Sequence, residues 1–146
     1  GAEAVLLTEE SVDVHNPKCV RSTAGSIFHL AVVTGTALSC AIPALHEAGM
    51  TVIAADVDGD VDLDDLLDAA ASGATGGLAG PVAWIFGNEA QGMSASSLAM
   101  ADSVVRVPVH GRAESLNLAT AATVCLYATA RAQRRGAGCR VRSTAQ

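Results

Sequence analysis

The chain has little of what an open nucleic-acid platform is built from. Aromatic residues make up 3% of its 146 residues, and nine Lys and Arg face fifteen Asp and Glu for a formal charge of −6. Nonspecific affinity for a phosphate backbone comes mainly from Lys and Arg, and sequence-tolerant binding of single strands needs stacking rings. The bulk composition therefore argues against indiscriminate nucleic-acid binding. Net charge hides the distribution, however. Seven acids fall in DVDGDVDLDDLLD, Asp56 to Asp68, whereas Arg131, Arg134, Arg135, Arg140 and Arg142 crowd the C-terminus. A local basic patch stays compatible with the acidic total.

Paired cysteines and long apolar runs are missing too. Cys19, Cys40, Cys125 and Cys139 show no C-x-x-C spacing, and a domain of this size needs no disulfide framework. They read as reduced thiols of a cytoplasmic protein. The apolar run Leu30 to Leu45 is interrupted by Thr34, Gly35, Thr36, Ser39 and Pro43 and falls short of the ~20 residues that cross a bilayer. It reads as a core segment, with no membrane partner. The chain opens on neither an initiator Met nor a basic, apolar leader, so Gly1 reads as the start of a fragment or processed chain.

What is present is alternation. Half the residues are hydrophobic, and short apolar runs take turns with helical patterns. AVLLT (Ala4 to Thr8) reads as a buried strand; Asn16 then caps a helix with Pro17 at its first position and Gly25 as its stop. A short apolar piece around Leu30 to Val33 leads to a helix from about Thr36 to Ala48. TVIAAD is the next strand, and a helix runs from Asp62 through about Ala71. PVAWIFG is a strand, SASSLAMA a short helix, SVVRVPV a strand, and Leu116 to Arg135 the final helix. The pattern predicts an α/β fold, a largely parallel sheet with helices on both faces, occupying residues 1–135 and followed by a flexible tail at 136–146.

Two stretches look functional and are not. An EF-hand loop wants its Gly sixth after an initial Asp; with Gly59 sixth, Ala54 would be first, so DVDGDVDLDD reads as a solvated turn and no metal site is expected. The glycines of GATGGLAG follow a helix and precede a strand, the reverse of a phosphate-binding loop. They form a linker, and the lack of a Gly-rich loop after the first strand disfavours a Rossmann-type nucleotide-binding domain.

The informative feature is strand ends that deliver polar loops. WIFGNEAQGM leaves its strand at Gly87 and carries Asn88 and Glu89. VPVHGRAESLN leaves another at Val107 and runs through Gly111, Arg112, Glu114 and Ser115 into the final helix. Ligands of open α/β sheets lie beyond the carboxyl ends of the strands, where both loops must be. Ser115 or Asn117 can simply cap the helix, or the polar group can meet a ligand at a helix N-terminus. Both readings stand on the residues alone.

Together with NPKCVRSTAGSIFHL, these two loops resemble the SpoU-type branch of the SPOUT RNA methyltransferases, from Ala4 to about Gln133. The resemblance implies a C-terminal trefoil knot, S-adenosylmethionine bent within it, methyl transfer to a ribose 2′-hydroxyl of rRNA or tRNA, and a homodimer. It implies that Gly87, Val107 and Leu116 line the cofactor pocket, that Asn88 and Glu89 organise the reacting end, and that Ser115 and Asn117 order the donor and substrate side. It also implies that Arg21 and Arg112 contact RNA; for Arg21 the plain alternative is a surface helix charge. Glu114 reads as a solvated loop residue, His29 as a packed histidine, and Trp84 and Phe86 as core. The family's early Asn-x-Gly motif with its following Arg lies upstream of GAEAVLLT. The stretch alone is therefore expected to transfer methyl weakly or not at all, and a non-catalytic knotted module that dimerises and holds cofactor is the alternative.

Overall fold

A computed structural model of the chain describes residues 1–9, 11–88 and 92–143, with side chains to Arg135. It divides into two compact units, Gly1–Ala41 and Ile42–Gln146. In the first unit β1 (Ala4–Leu7) pairs in parallel with β2 (Ala31–Thr34), Ala4 opposite Ala31 and Leu7 opposite Thr34. Between them lie α1 (Pro17–Ser22) and a 3₁₀ turn at Ser26–His29. The sequence signals hold locally: the Asn16 side chain accepts a bond from the Lys18 N–H at 2.9 Å, Pro17 opens the helix, and Gly25 sits at φ 90°, where side chains are strained. Two expectations need correction. β1 is not buried, because the two strands form a sheet of their own and Leu6 remains 42% exposed. His29 is exposed rather than packed.

Helix α2 (Leu38–Glu47) carries the chain into the second unit. There β3 (Thr51–Ala55), β4 (Val61–Asp62), β5 (Val82–Phe86) and β6 (Ser103–Arg106) form a parallel sheet in the order β4-β6-β3-β5. The α/β class and parallel strands are as the alternation predicts, but the strands form two sheets rather than one. The remaining helices are α3 (Leu63–Ala71), the single turn α4 (Ala95–Leu98) and α5 (Leu118–Ser143). The core joins Ile53 and Val105 of the sheet to Leu63 of α3, Leu78, and Cys125, Ala128 and Ala132 of α5. Leu63, Leu66, Leu67 and Ala70 recur at three- and four-residue spacing, so α3 turns one stripe inward. Burial pushes the Cys125 thiol up to about 11. Val52 and Ala54 are buried on the opposite side of β3 from Ile53, so both faces of this strand are covered.

Helix α5 is fastened to β5. Trp84 Nε1 donates to Thr129 Oγ1 at 2.9 Å, Thr129 Oγ1 donates to the Cys125 carbonyl at 2.9 Å, and Gln133 Nε2 donates to the Gly80 carbonyl at 2.7 Å. Trp84 and Phe86 pack against the core with ring centroids 6.1 Å apart, as expected of them. Strand β6 ends at Arg106, short of Pro108, which has no N–H for a ladder. Helix α5 starts two residues after Leu116 and continues past Arg135 to Ser143. At the amino end of the sheet the Asp102 carboxylate accepts the Val52 N–H at 2.8 Å and meets His46 Nε2 at 3.1 Å. The Val52 bond chiefly holds this carboxyl below its ordinary range.

The strand order has a topological consequence. β6 lies between β3 and β4, yet β3 and β4 are joined earlier in the chain through Asp56–Asp60. That link therefore crosses β6, and it does so at Gly59. A Cβ on this buried glycine would lie 2.6 Å from Arg106 N, 2.7 Å from Val105 C and 2.9 Å from Val104 O. Only glycine lets the two backbones approach this closely.

Candidate functional site

Because β6, β3 and β5 are adjacent and parallel, three loops leave the same edge of the sheet. The register sets Ala55 level with both Phe86 and Val105, so Gly87, Asp56 and Arg106 follow side by side. With neighbouring strands ~4.8 Å apart, Gly87 and Arg106 stand roughly 10 Å from each other across β3. The two loops singled out in the sequence are thus brought together, with a third between them.

The loop after β5 is tight. The Gly92 N–H donates to the Asn88 carbonyl at 2.7 Å, and Gly92 takes φ 64°. A side chain on Gly87 would meet Gly92 C at 2.7 Å and Met93 Cγ at 2.8 Å. Gly87 is therefore required for this fold-back, and Asn88 is exposed beside it. Glu89, expected to organise the reacting end, lies outside the described residues.

The loop after β6 is open. Val107 is half-buried and packs on the core, Leu116 is half-buried, and Arg112, Glu114 and Ser115 are exposed. Among the described residues, the backbone of Pro108–Leu116 makes no hydrogen bond to other backbone groups. Its N–H and C=O groups are accessible to solvent or a ligand. Asn117 caps α5: Oδ1 accepts the Thr120 N–H at 2.7 Å and its carbonyl accepts the Ala121 N–H at 2.9 Å. This decides which residue caps. It leaves Asn117 Nδ2 with both donors unspent among the described residues, and Ser115 Oγ without a partner among them.

The middle loop, Asp56–Asp60, was read from the sequence as a solvated turn only. The structure places it between the other two and exposes 58% of Val57 there. Its position directly after a strand was the available signal, masked by its resemblance to a calcium loop. Arg21 lies on the exposed face of α1 in the first unit, and no geometry links it to this edge. A groove between α3 and α5, walled by Asp64, Asp68, Arg131 and Arg135 over small Ala70, Ala71 and Ala132, contains no residue of the three loops. It is the seam between two helices and stands apart from the candidate site.

Comparison with known proteins identifies the family. The model described as the SpoU rRNA Methylase family matches residues 1–127. An uncharacterised tRNA/rRNA methyltransferase of Archaeoglobus fulgidus is 33% identical over 131 residues, covering 90% of this chain and 54% of its own length. A 23S rRNA (uridine(2479)-2′-O)-methyltransferase of Streptomyces viridochromogenes is 32% identical over 137 residues, covering 90% of this chain and 44% of its own. The chain thus spans about half the length of these relatives. Among solved structures, the SpoU methyltransferase AviRb from Streptomyces viridochromogenes, in complex with AdoMet, superposes with TM-score 0.77 at 31% identity, over 93% of this chain and 49% of that one.

Proposed function

Because the chain belongs to the SpoU rRNA Methylase family, we propose that it carries the cofactor- and ribose-handling part of an RNA 2′-O-methyltransferase that uses S-adenosylmethionine. The single observation that carries the reading is the edge where three loops converge, one of them with an uncommitted backbone. The donor set fits such a cofactor. Half-buried Val107 and Leu116 with exposed Val57 supply apolar walls for an adenine, and free backbone groups of Pro108–Leu116 supply its hydrogen-bond partners. When bound, S-adenosylmethionine supplies an activated methyl on a sulfonium.

The chain's own groups then have to orient and exclude rather than react. Asn117, locked by its cap, presents Nδ2 from a rigid helix start, and Ser115 Oγ stands two residues before it, so both order the donor and ribose side. Gly87 and Asn88 bring the turn after β5 up to the same edge, and the organising role expected of Asn88 and Glu89 belongs to this reading. These groups would align the ribose 2′-hydroxyl with the methyl to be transferred. Arg112, exposed in the same loop as Ser115, contacts RNA phosphate, and Arg21 does so from α1. The crossing of β6 by its neighbours' link is a feature that the family's trefoil knot requires, and the knot is part of this reading. So is a cytoplasmic location; among the described residues no helix is long and apolar enough to cross a membrane.

Leu116→Arg places a bulky cation against the apolar wall and is expected to abolish S-adenosylmethionine binding in calorimetry while the chain stays folded. Unchanged affinity in the folded variant rejects the pocket. The homodimer belongs to the proposal as well. The solvent side of α5 exposes Val124, Leu126 and Tyr127, the last by 66%, with small Ala119 and half-buried Ala130 beside them. Of the helix's other small residues, Ala128 is in the core, Ala121 lies four residues before core Cys125 on the same face, and Ala122 is half-buried. Sedimentation at micromolar concentration is expected to give a dimer, and a monomer there refutes it.

A further inference from the structure

The segment that crosses β6 is acid-rich and mostly exposed, and its strand β4 is two residues long. Two ladder positions, Val61 opposite Val105 and Asp62 opposite Arg106, cannot hold a segment in place by themselves. Something else must. Arg106, the last residue of β6, grips Asp62 with both arms of its guanidinium, Nε to Oδ1 at 2.6 Å and Nη2 to Oδ2 at 2.8 Å, and reaches the Gly59 carbonyl with Nη1 at 3.4 Å. On the other side the Asp56 N–H donates to the Val105 carbonyl at 3.0 Å. The crossing link is thus tied to β6 at both ends, and the residue after Arg106 is Val107, where the open loop begins.

We propose that Arg106 and Asp62 are positioning residues: their forked pair clamps the crossing segment onto the end of β6 and so fixes where the Val107–Asn117 loop leaves the sheet. The pair touches no cofactor. It acts through Gly59 and Val107, holding the middle loop and the open loop in register. That these loops bind S-adenosylmethionine rests on the functional reading above; that they are clamped does not. The geometry demands Arg rather than Lys, since an ammonium gives one point charge where the fork gives two parallel bonds.

Amide exchange followed by NMR tests the clamp without any ligand. In Asp62→Asn and Arg106→Gln, exchange at Asp56 and at the end of β6 is expected to quicken about two- to fivefold, the range of an exposed ion pair. Ile53, in the core of β3, should keep its rate. Arg106→Lys should fall between, and the exchanged pair Asp62→Arg with Arg106→Asp should recover part of the protection. With S-adenosylmethionine, the same variants should raise Kd in the same order. Unchanged exchange at Asp56 and β6 in folded variants overturns the clamp. So does quickening that extends equally to Ile53, because that is loss of global stability. A wild-type chain that fails to bind S-adenosylmethionine defeats the functional reading instead, and the exchange rates still judge the clamp.

Discussion

At Asn117 one side chain has a role in folding and, in the proposed reading, a second in binding. Its carbonyl oxygen closes the first turn of α5 through the Thr120 N–H, and its amide nitrogen remains free to donate outward. The two jobs separate by substitution. Asn117→Asp keeps an oxygen cap and removes the donor, so stability should stay near wild type while S-adenosylmethionine binding weakens. Asn117→Ala should lose both, with a stability cost of ~1 kcal/mol. Urea unfolding beside calorimetry checks this, and an Asp variant that binds at full strength would leave the residue a cap only. The choice between Ser115 and Asn117 was open in the sequence, since either suits a cap. The structure decides it because the helix begins at Leu118. Gly59 was less legible still. It stands in an acidic turn like many surface glycines, and its role depends on a strand more than forty residues later arriving against it.

At the scale of elements, the sequence identifies what periodicity controls. The continuous apolar runs in TVIAAD and VAWIF and the Leu spacing of α3 are strong local signals. What it misses depends on partners: β4 exists only because β6 lies beside it, and β1 reads as buried because an apolar run carries no record of how many strands accompany it. The seam of β5 and α5 is also invisible locally, since Trp84 and Thr129 meet across 45 residues. Thr129→Val keeps the volume but leaves the Trp84 N–H without its acceptor. A part-buried donor left unpaired costs ~1 kcal/mol, the low end for a lost hydrogen bond, so thermal or urea unfolding should show a loss of that size. The variant should also shift Trp84 fluorescence. A variant as stable as wild type would mean that the bond contributes nothing to seating α5.

For the whole molecule, the placement of the proposed site follows from sheet order. Motifs at Gly87, Val107 and Asn117 were legible as strand-end loops, and their resemblance to a family identified the chemistry. That they lie around a third loop was not legible, because strand order is a property of the closed fold. The central claim is that S-adenosylmethionine binds at this carboxyl edge. The most direct measurement is an amide-resolved NMR titration of the chain with S-adenosylmethionine. Saturable shifts are expected at Asp56–Asp60, Gly87–Asn88 and Val107–Asn117, with residues of the α3–α5 groove such as Asp64 and Arg131 unmoved. Shifts centred on that groove, or none at all in a folded chain, would contradict the claim.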